Sequence, residues 1–123
     1  MRKIVLTGST GGLGRRLTEE LACSFKDELI CVYRNEEKYK NIILSVHNDL
    51  TGYKSSKDEN WSGLTELLDK DDIDSITLIL NAFSIAPIKN IGDLTSDEIG
   101  DYIDDNLKIS KNITYHMIWW MSS

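Results

Sequence analysis

The residues best suited to chemistry in this chain are Thr7-Gly8-Ser9-Thr10-Gly11-Gly12-Leu13-Gly14. They stand between the apolar run Ile4-Val5-Leu6 and a segment in which Leu13, Leu17, Leu21 and Phe25 recur at every fourth position. The first run reads as a strand and the second as one face of a helix. A helix start leaves backbone N–H groups without partners, and its aligned peptide dipoles favour negative charge there. Glycine lets the chain turn sharply and lets a phosphate come close, because no Cβ stands in the way. Strand, turn and helix start together make an anion site whose natural ligand is a dinucleotide pyrophosphate.

Glycines also close turns that hold no ligand, and it is the strand before and the helix after that favour the binding reading. The run is not a P-loop, which ends in Gly-Lys-Ser/Thr, because Arg15-Arg16 follow Gly14. Strict G-x-G-x-x-G spacing is absent as well. Two other spacings fit: Thr-Gly-x-x-x-Gly-x-Gly through Gly8, Gly12 and Gly14, and Gly-x-x-Gly-x-x-Gly through Gly8, Gly11 and Gly14.

The 123 residues suit one dinucleotide-binding domain spanning 1–123, with 41% hydrophobic residues for its core. The net charge of -6 argues against nucleic-acid and membrane-surface partners, which require a basic face. It leaves a dinucleotide open, because backbone dipoles set the field in the turn. Cys23 and Cys31 form no Cys-x-x-Cys pair or metal-ligand cluster, so both are expected as buried free thiols in a reducing, cytoplasmic setting. No signal peptide opens the chain, and Met117-Ile118-Trp119-Trp120-Met121 is far too short to span a bilayer.

Strand and helix patterns alternate. Strands are expected at Lys3–Leu6, Leu29–Tyr33, Ile42–Val46 and Ile76–Leu80. Helices are expected at Leu13–Phe25, Trp61–Leu68 and Asp97 to about Met121, with Asn35–Lys40 a short helix or turn and Thr51–Asn60 a polar loop. In the last helix Ile99, Ile103, Leu107, Ile113 and Met117 fall on the inward side, and Thr95 or Ser96 caps it. The pattern predicts an α/β fold, a three-layer Rossmann-type parallel sheet of four strands in the order 3-2-1-4 with helices on both faces. The fourth strand, an apolar edge without charges or prolines, and the last helix are expected to build a homo-oligomer.

In this order the residues resemble the N-terminal, NAD(P)-binding half of a short-chain dehydrogenase/reductase. Thr7–Gly14 matches the family's glycine motif, placing Gly8, Ser9, Thr10, Gly12, Leu13 and Gly14 at the cofactor. Arg34, after the second strand, matches the basic residue that marks NADP(H) preference over NAD(H). Asp49-Leu50, taken as just past the third strand, matches the Asp that reads the adenine, and Asn81-Ala82 matches the start of Asn-Ala-Gly. Asn106 in the last helix matches the Asn that supports the family's proton relay, its one catalytic residue in this chain. Read without the resemblance, the alternatives are a solvated charge for Arg34, a turn or cap residue for Asp49 and an exposed helical polar residue for Asn106.

The chain departs from the family at three points. Phe83 stands where Asn-Ala-Gly has its glycine, and Gly11 replaces the basic residue of the glycine loop in NADP-type members. The family's catalytic Ser and Tyr-x-x-x-Lys lie beyond a fifth strand, and the chain stops before it. Tyr53-Lys54-Ser55-Ser56-Lys57 spells Tyr-x-x-x-Lys, but in a polar loop away from the nicotinamide end, where its ammonium could not activate the phenol. His47 and His116 form no nucleophile or metal constellation. Two readings follow: the NADP(H)-binding portion of an oxidoreductase, inactive alone, or a non-catalytic nucleotide- or protein-binding module with or without bound cofactor.

Overall fold

Arg2–Leu6 (β1) is apolar from Ile4 on and Glu28–Tyr33 (β2) from Leu29 on, and every residue from Leu29 to Val32 is buried. Such runs fit the middle of a parallel sheet covered on both faces. In the computed structural model, which describes residues 2–24, 28–46, 50–56, 58–68, 72–81 and 91–122, they are the two central strands. Thr51–Lys54 (β3) pairs with β2 and Ser75–Ile79 (β4) with β1, all parallel, in the order β3-β2-β1-β4. The register sets Leu6 beside both Cys31 and Ile79, and Val32 beside Tyr53.

The strand alternation divides the core in two. Val5, Ile30 and Val32 point to one face. There Ser62–Leu67 (α3) and Ser96–Ser122 (α4) cover them with Leu64, Ile113 and Met117, beside Trp61 and Leu68. Ile4, Leu6, Leu29 and Cys31 point to the other face. Gly12–Ser24 (α1) covers them with Leu17 and Leu21, and Glu36–Ser45 (α2) with Tyr39. Helices therefore lie on both faces of a four-strand parallel sheet, the expected Rossmann-type α/β arrangement.

The expected third strand, Ile42–Val46, is corrected. Ile42 to Ser45 form the second half of α2, with Ile42 buried and Leu44 85% exposed. A short apolar run has no period of its own that separates strand from helix. Asn35 decides the matter by accepting the Lys38 N–H at its Oδ1 (3.0 Å), which starts a helix through the run. The strand falls instead on Thr51–Lys54, inside the stretch expected as a loop. Gly52 belongs there because a Cβ would come within 2.5 Å of the Tyr39 hydroxyl. Tyr39 in turn stacks on Tyr33, with ring centroids 4.1 Å apart and planes 5° from parallel.

Three burial expectations also change. In α1 the buried positions are Gly14, Thr18 and Ala22, while Leu13 is exposed and Leu17 and Leu21 flank the contact. Phe25 lies outside the described residues. A stripe of small residues brings the helix backbone close to the sheet, and the leucines fill the sides. Cys23 is exposed and Cys31 buried. In α4, Ile113 and Met117 are buried as expected, whereas Ile99, Ile103 and Leu107 are exposed. Thr95 caps that helix: its hydroxyl accepts the Glu98 N–H at 3.1 Å and donates to the Glu98 carboxylate at 3.2 Å.

Tyr39 joins α2, β2 and β3, so its removal is expected to loosen the outer strand. Tyr39→Ala should cost about 3 kcal/mol, the lower end for truncating a large buried ring. Urea denaturation of the variant and the parent chain checks this.

Candidate functional site

The glycine turn leaves β1 through Thr7, whose side chain is fully buried between two strand ends. Its N–H donates to the Ile79 carbonyl (3.0 Å), and its Oγ1 accepts the Asn81 N–H (2.9 Å). Gly8 then takes a left-handed conformation (φ 61°), open to glycine at little cost. Buried Ser9 donates through its hydroxyl to the Val32 carbonyl (2.9 Å), tying the turn to β2. Thr18, in the second turn of α1, donates to the carbonyls of Ser9 (3.1 Å) and Gly14 (2.8 Å).

Gly14 is where helix and turn meet. A Cβ there would land on the Gly8 carbonyl and within 2.9 Å of Asn81 Nδ2. Asn81 donates through that nitrogen to the same carbonyl at 3.3 Å. Gly12, by contrast, has open space where a Cβ would stand. Among the described residues, no acceptor meets the N–H groups of Gly12 and Leu13, in the first turn of α1. The turn thus offers a bare backbone surface with donors at a helix start, the arrangement that receives a pyrophosphate. Thr10, Gly11 and Gly12 also form one wall of a groove of about 270 Å³, with Arg15 beside them and Lys38, Asn41 and Ile42 opposite on α2.

The other expected residues are only partly brought here. Arg34 follows β2 directly, at the carboxyl edge of the sheet beside the turn. Leu50 does not lie at that edge. It precedes β3 and packs against the core cluster that includes Leu29 and Tyr39, because the third strand starts after it rather than before it. Asp49 and Ala82 lie outside the described residues, as do His47 and Phe83, and the Asn106 side chain is not among those described.

The carboxyl end of β3 is occupied by residues the sequence reading passed over. Ser55 is buried and donates its N–H to the Tyr33 carbonyl at 2.8 Å. Glu59 gathers the loop that follows. Its carboxylate accepts from the Tyr53 hydroxyl (2.6 Å), the Trp61 N–H (2.9 Å) and the Ser56 N–H (2.9 Å). Trp61 has a left-handed backbone (φ 65°), which a bulky residue adopts only when its surroundings enforce it. The Glu59 bond and the burial of the ring enforce it. The one signal in the sequence was the carboxylate two residues before an aromatic helix start, too common a pattern to single out.

Tyr53, the first residue of the Tyr-x-x-x-Lys lookalike, lies in β3 and not in a loop. Burial, then its bond to the Glu59 carboxylate, push its phenol pKa upward. A catalytic tyrosine needs the opposite shift. Lys57 lies outside the described residues. Burial also pushes the Cys31 thiol up to about 11, against a weaker pull from Thr18, so this cysteine is inert. His116 Nε2 lies 3.4 Å from the Thr65 hydroxyl. Among the described residues no group of three His, Cys, Asp or Glu side chains could hold a metal ion.

No family model and no curated protein matches the sequence. Solved structures do match the fold. A short-chain dehydrogenase/reductase from Vibrio parahaemolyticus superposes with a TM-score of 0.68 at 22% identity, over 94% of this chain and 54% of that one. The alcohol dehydrogenase specific for bulky-bulky ketones from Comamonas testosteroni gives 0.67 at 15% identity, over 94% and 47%. A short-chain dehydrogenase from Sphingobium yanoikuyae in complex with NADPH gives 0.63 at 16% identity, over 94% and 47%. The fold is therefore that of the short-chain dehydrogenase/reductases, and the chain spans about half the length of these structures.

Glu59 provides a pH test of the β3 loop. Burial alone would raise its pKa, but the Tyr53 hydroxyl and the amides of Ser56 and Trp61 outweigh it and hold the carboxyl below its usual value. A depressed carboxylate stabilises the fold above its unfolded pKa of about 4.3, and that stabilisation is lost as pH falls through the folded value. Glu59→Gln should therefore be less stable than the parent near neutral pH, with the difference closing in acid. Urea midpoints from about pH 7 down to about pH 3 measure this.

Proposed function

We propose that this chain is the NADP(H)-binding portion of a short-chain dehydrogenase/reductase-like oxidoreductase. The observation that carries the reading is the junction at Gly14. There the helix start, the left-handed Gly8 and Asn81 meet at the carboxyl edge of a parallel sheet, where open α/β folds bind their ligands. The pyrophosphate would lie on the bare backbone of Gly12 and Leu13, and Arg34 would pair the ribose 2′-phosphate through its planar fork. The likeness to a dehydrogenase solved with NADPH supports the same ligand. Bound there, the cofactor supplies hydride transfer, and the protein supplies binding and orientation.

These 123 residues by themselves are proposed to bind without turnover. The only Tyr-x-x-x-Lys spacing starts at Tyr53, whose phenol is shifted the wrong way for proton transfer. Asn106 is retained as a supporting residue of a complete proton relay, and Asp49 and Ala82 as further cofactor contacts. A reducing, cytoplasmic setting suits two cysteines without a disulfide. In titration calorimetry the chain should bind NADP⁺ more tightly than NAD⁺, and Arg34→Ala should reduce that preference at least severalfold. Equal affinity for both in the parent chain, unchanged in the variant, overturns the assignment of Arg34; robust oxidation of NADPH with carbonyl substrates overturns the inactivity.

A specific observation also favours self-association. Leu107, Ile118 and Trp119 of α4 are each more than 60% exposed, and Ile99, Ile103 and Met121 add to the same helix surface. β4 pairs only with β1 among the described strands. An apolar helix surface beside an open strand edge commonly marks an interface. Light scattering at dilute concentration should give a mass above that of one chain, reduced to one chain in Leu107→Glu/Ile118→Glu. A monomeric parent chain sinks the idea.

A further inference from the structure

A cleft of about 260 Å³ opens on the face of the sheet covered by α3 and α4. Its walls include Glu59 and Trp61 from the loop after β3, and Asn112, Tyr115, His116 and Trp119 from α4; no lysine or arginine lines it. Tyr115 is 72% and Trp119 61% exposed, although both rings are large. Spaced four apart, they share one side of the helix. Among the described residues neither makes a hydrogen bond or a ring contact. Trp119 stands about 100° round α4 from Ile118, so it lines the cleft and not the Leu107–Ile118 stripe.

Glu59 gives the cleft its charge. Burial opposes its ionisation, but its hydrogen bonds prevail and hold the carboxyl below its usual value. Each oxygen already receives two donors: Oε1 the Tyr53 hydroxyl and the Trp61 N–H, Oε2 the N–H and the hydroxyl of Ser56. A ligand N–H or O–H therefore finds no vacant lone pair, while the negative charge remains. We propose that this cleft binds a small organic cation with a quaternary ammonium head, its methyl groups against Tyr115 and Trp119 and its charge toward Glu59. Such a head has no N–H to satisfy, so a carboxylate with filled lone pairs still attracts it through charge alone. Tyr and Trp rings attract the same charge through their π-systems. An anion would meet no lysine or arginine here. A primary amine or a sugar hydroxyl would compete with the four bonds that shape the loop. The proposal is independent of the cofactor reading, because the glycine turn contributes no residue to this cleft.

The test is an NMR titration of the chain with choline and with its neutral tert-butyl isostere, in which carbon replaces the charged nitrogen. Ionic strength is held constant, and thermal melts serve as a folding control. Choline should bind saturably and shift the Tyr115 and Trp119 signals, and the isostere should bind about fivefold more weakly. Trp119 is exposed, so Trp119→Ala and Trp119→Phe should melt with the parent chain. Trp119→Ala should weaken choline about fivefold, and Trp119→Phe should recover most of the loss. Leu107→Glu/Ile118→Glu should bind choline as the parent does, because neither position lines the cleft. The proposal is overturned if choline shows no saturable binding, if the isostere binds equally well, or if Trp119→Ala changes nothing. Loss of choline binding in Leu107→Glu/Ile118→Glu also overturns it, by placing the site at a contact between copies.

Discussion

The approach of α1 to the carboxyl end of β1 is the contact on which the rest depends. Gly14 lies so close to the Gly8 carbonyl that no side chain fits between them. That closeness lets Asn81, at the end of β4, reach the same carbonyl, so three separate segments share one oxygen's surroundings. It also sets the register of α1 over the sheet, with Thr18 and Ala22 following Gly14 along the buried stripe. The same geometry that packs the helix leaves its first N–H groups facing outward. Packing and anion binding are thus one arrangement seen from two sides.

A second junction holds the outer part of the sheet. β3 is four residues long and lies at the edge, so it buries little by itself. Tyr39 compensates by filling the space over Gly52 and stacking on Tyr33, which couples α2 to two strands. Because α2 is placed this way, Lys38 and Asn41 face the glycine turn across a groove instead of pointing into solvent alone. On the opposite face, Glu59 plays the corresponding part for the loop after β3. It satisfies two backbone N–H groups and a tyrosine hydroxyl where no regular structure could.

Charge follows position more than composition. The chain is acidic, but its acids pair locally along the helices, as Glu19 does with Arg15 and Glu20 with Arg16. Such exposed pairs add little stability. One of them holds Arg15, which lines the groove at the glycine turn, so that groove carries less positive charge than its lining residues alone suggest.

The sequence by itself determined the α/β class, the strand order, the glycine turn and the central strands. These follow from short-range rules: apolar runs in covered parallel strands, helical spacing, and the need for glycine where backbones meet. It also carried the Thr95 cap and the inward Ile113 and Met117. Only the tertiary structure decided that Ile42–Ser45 is helix and Thr51–Lys54 strand, because the Asn35 cap and the Tyr39–Gly52 fit act across segments and outweigh local preference. The misplaced strand moved Leu50 away from the ligand edge, which no pattern around Asp49 could have signalled. The exposure of Ile99, Ile103 and Leu107 was likewise beyond periodicity: spacing shows that they share a side of α4, but only packing shows that the sheet meets the helix further along, at Ile113 and Met117.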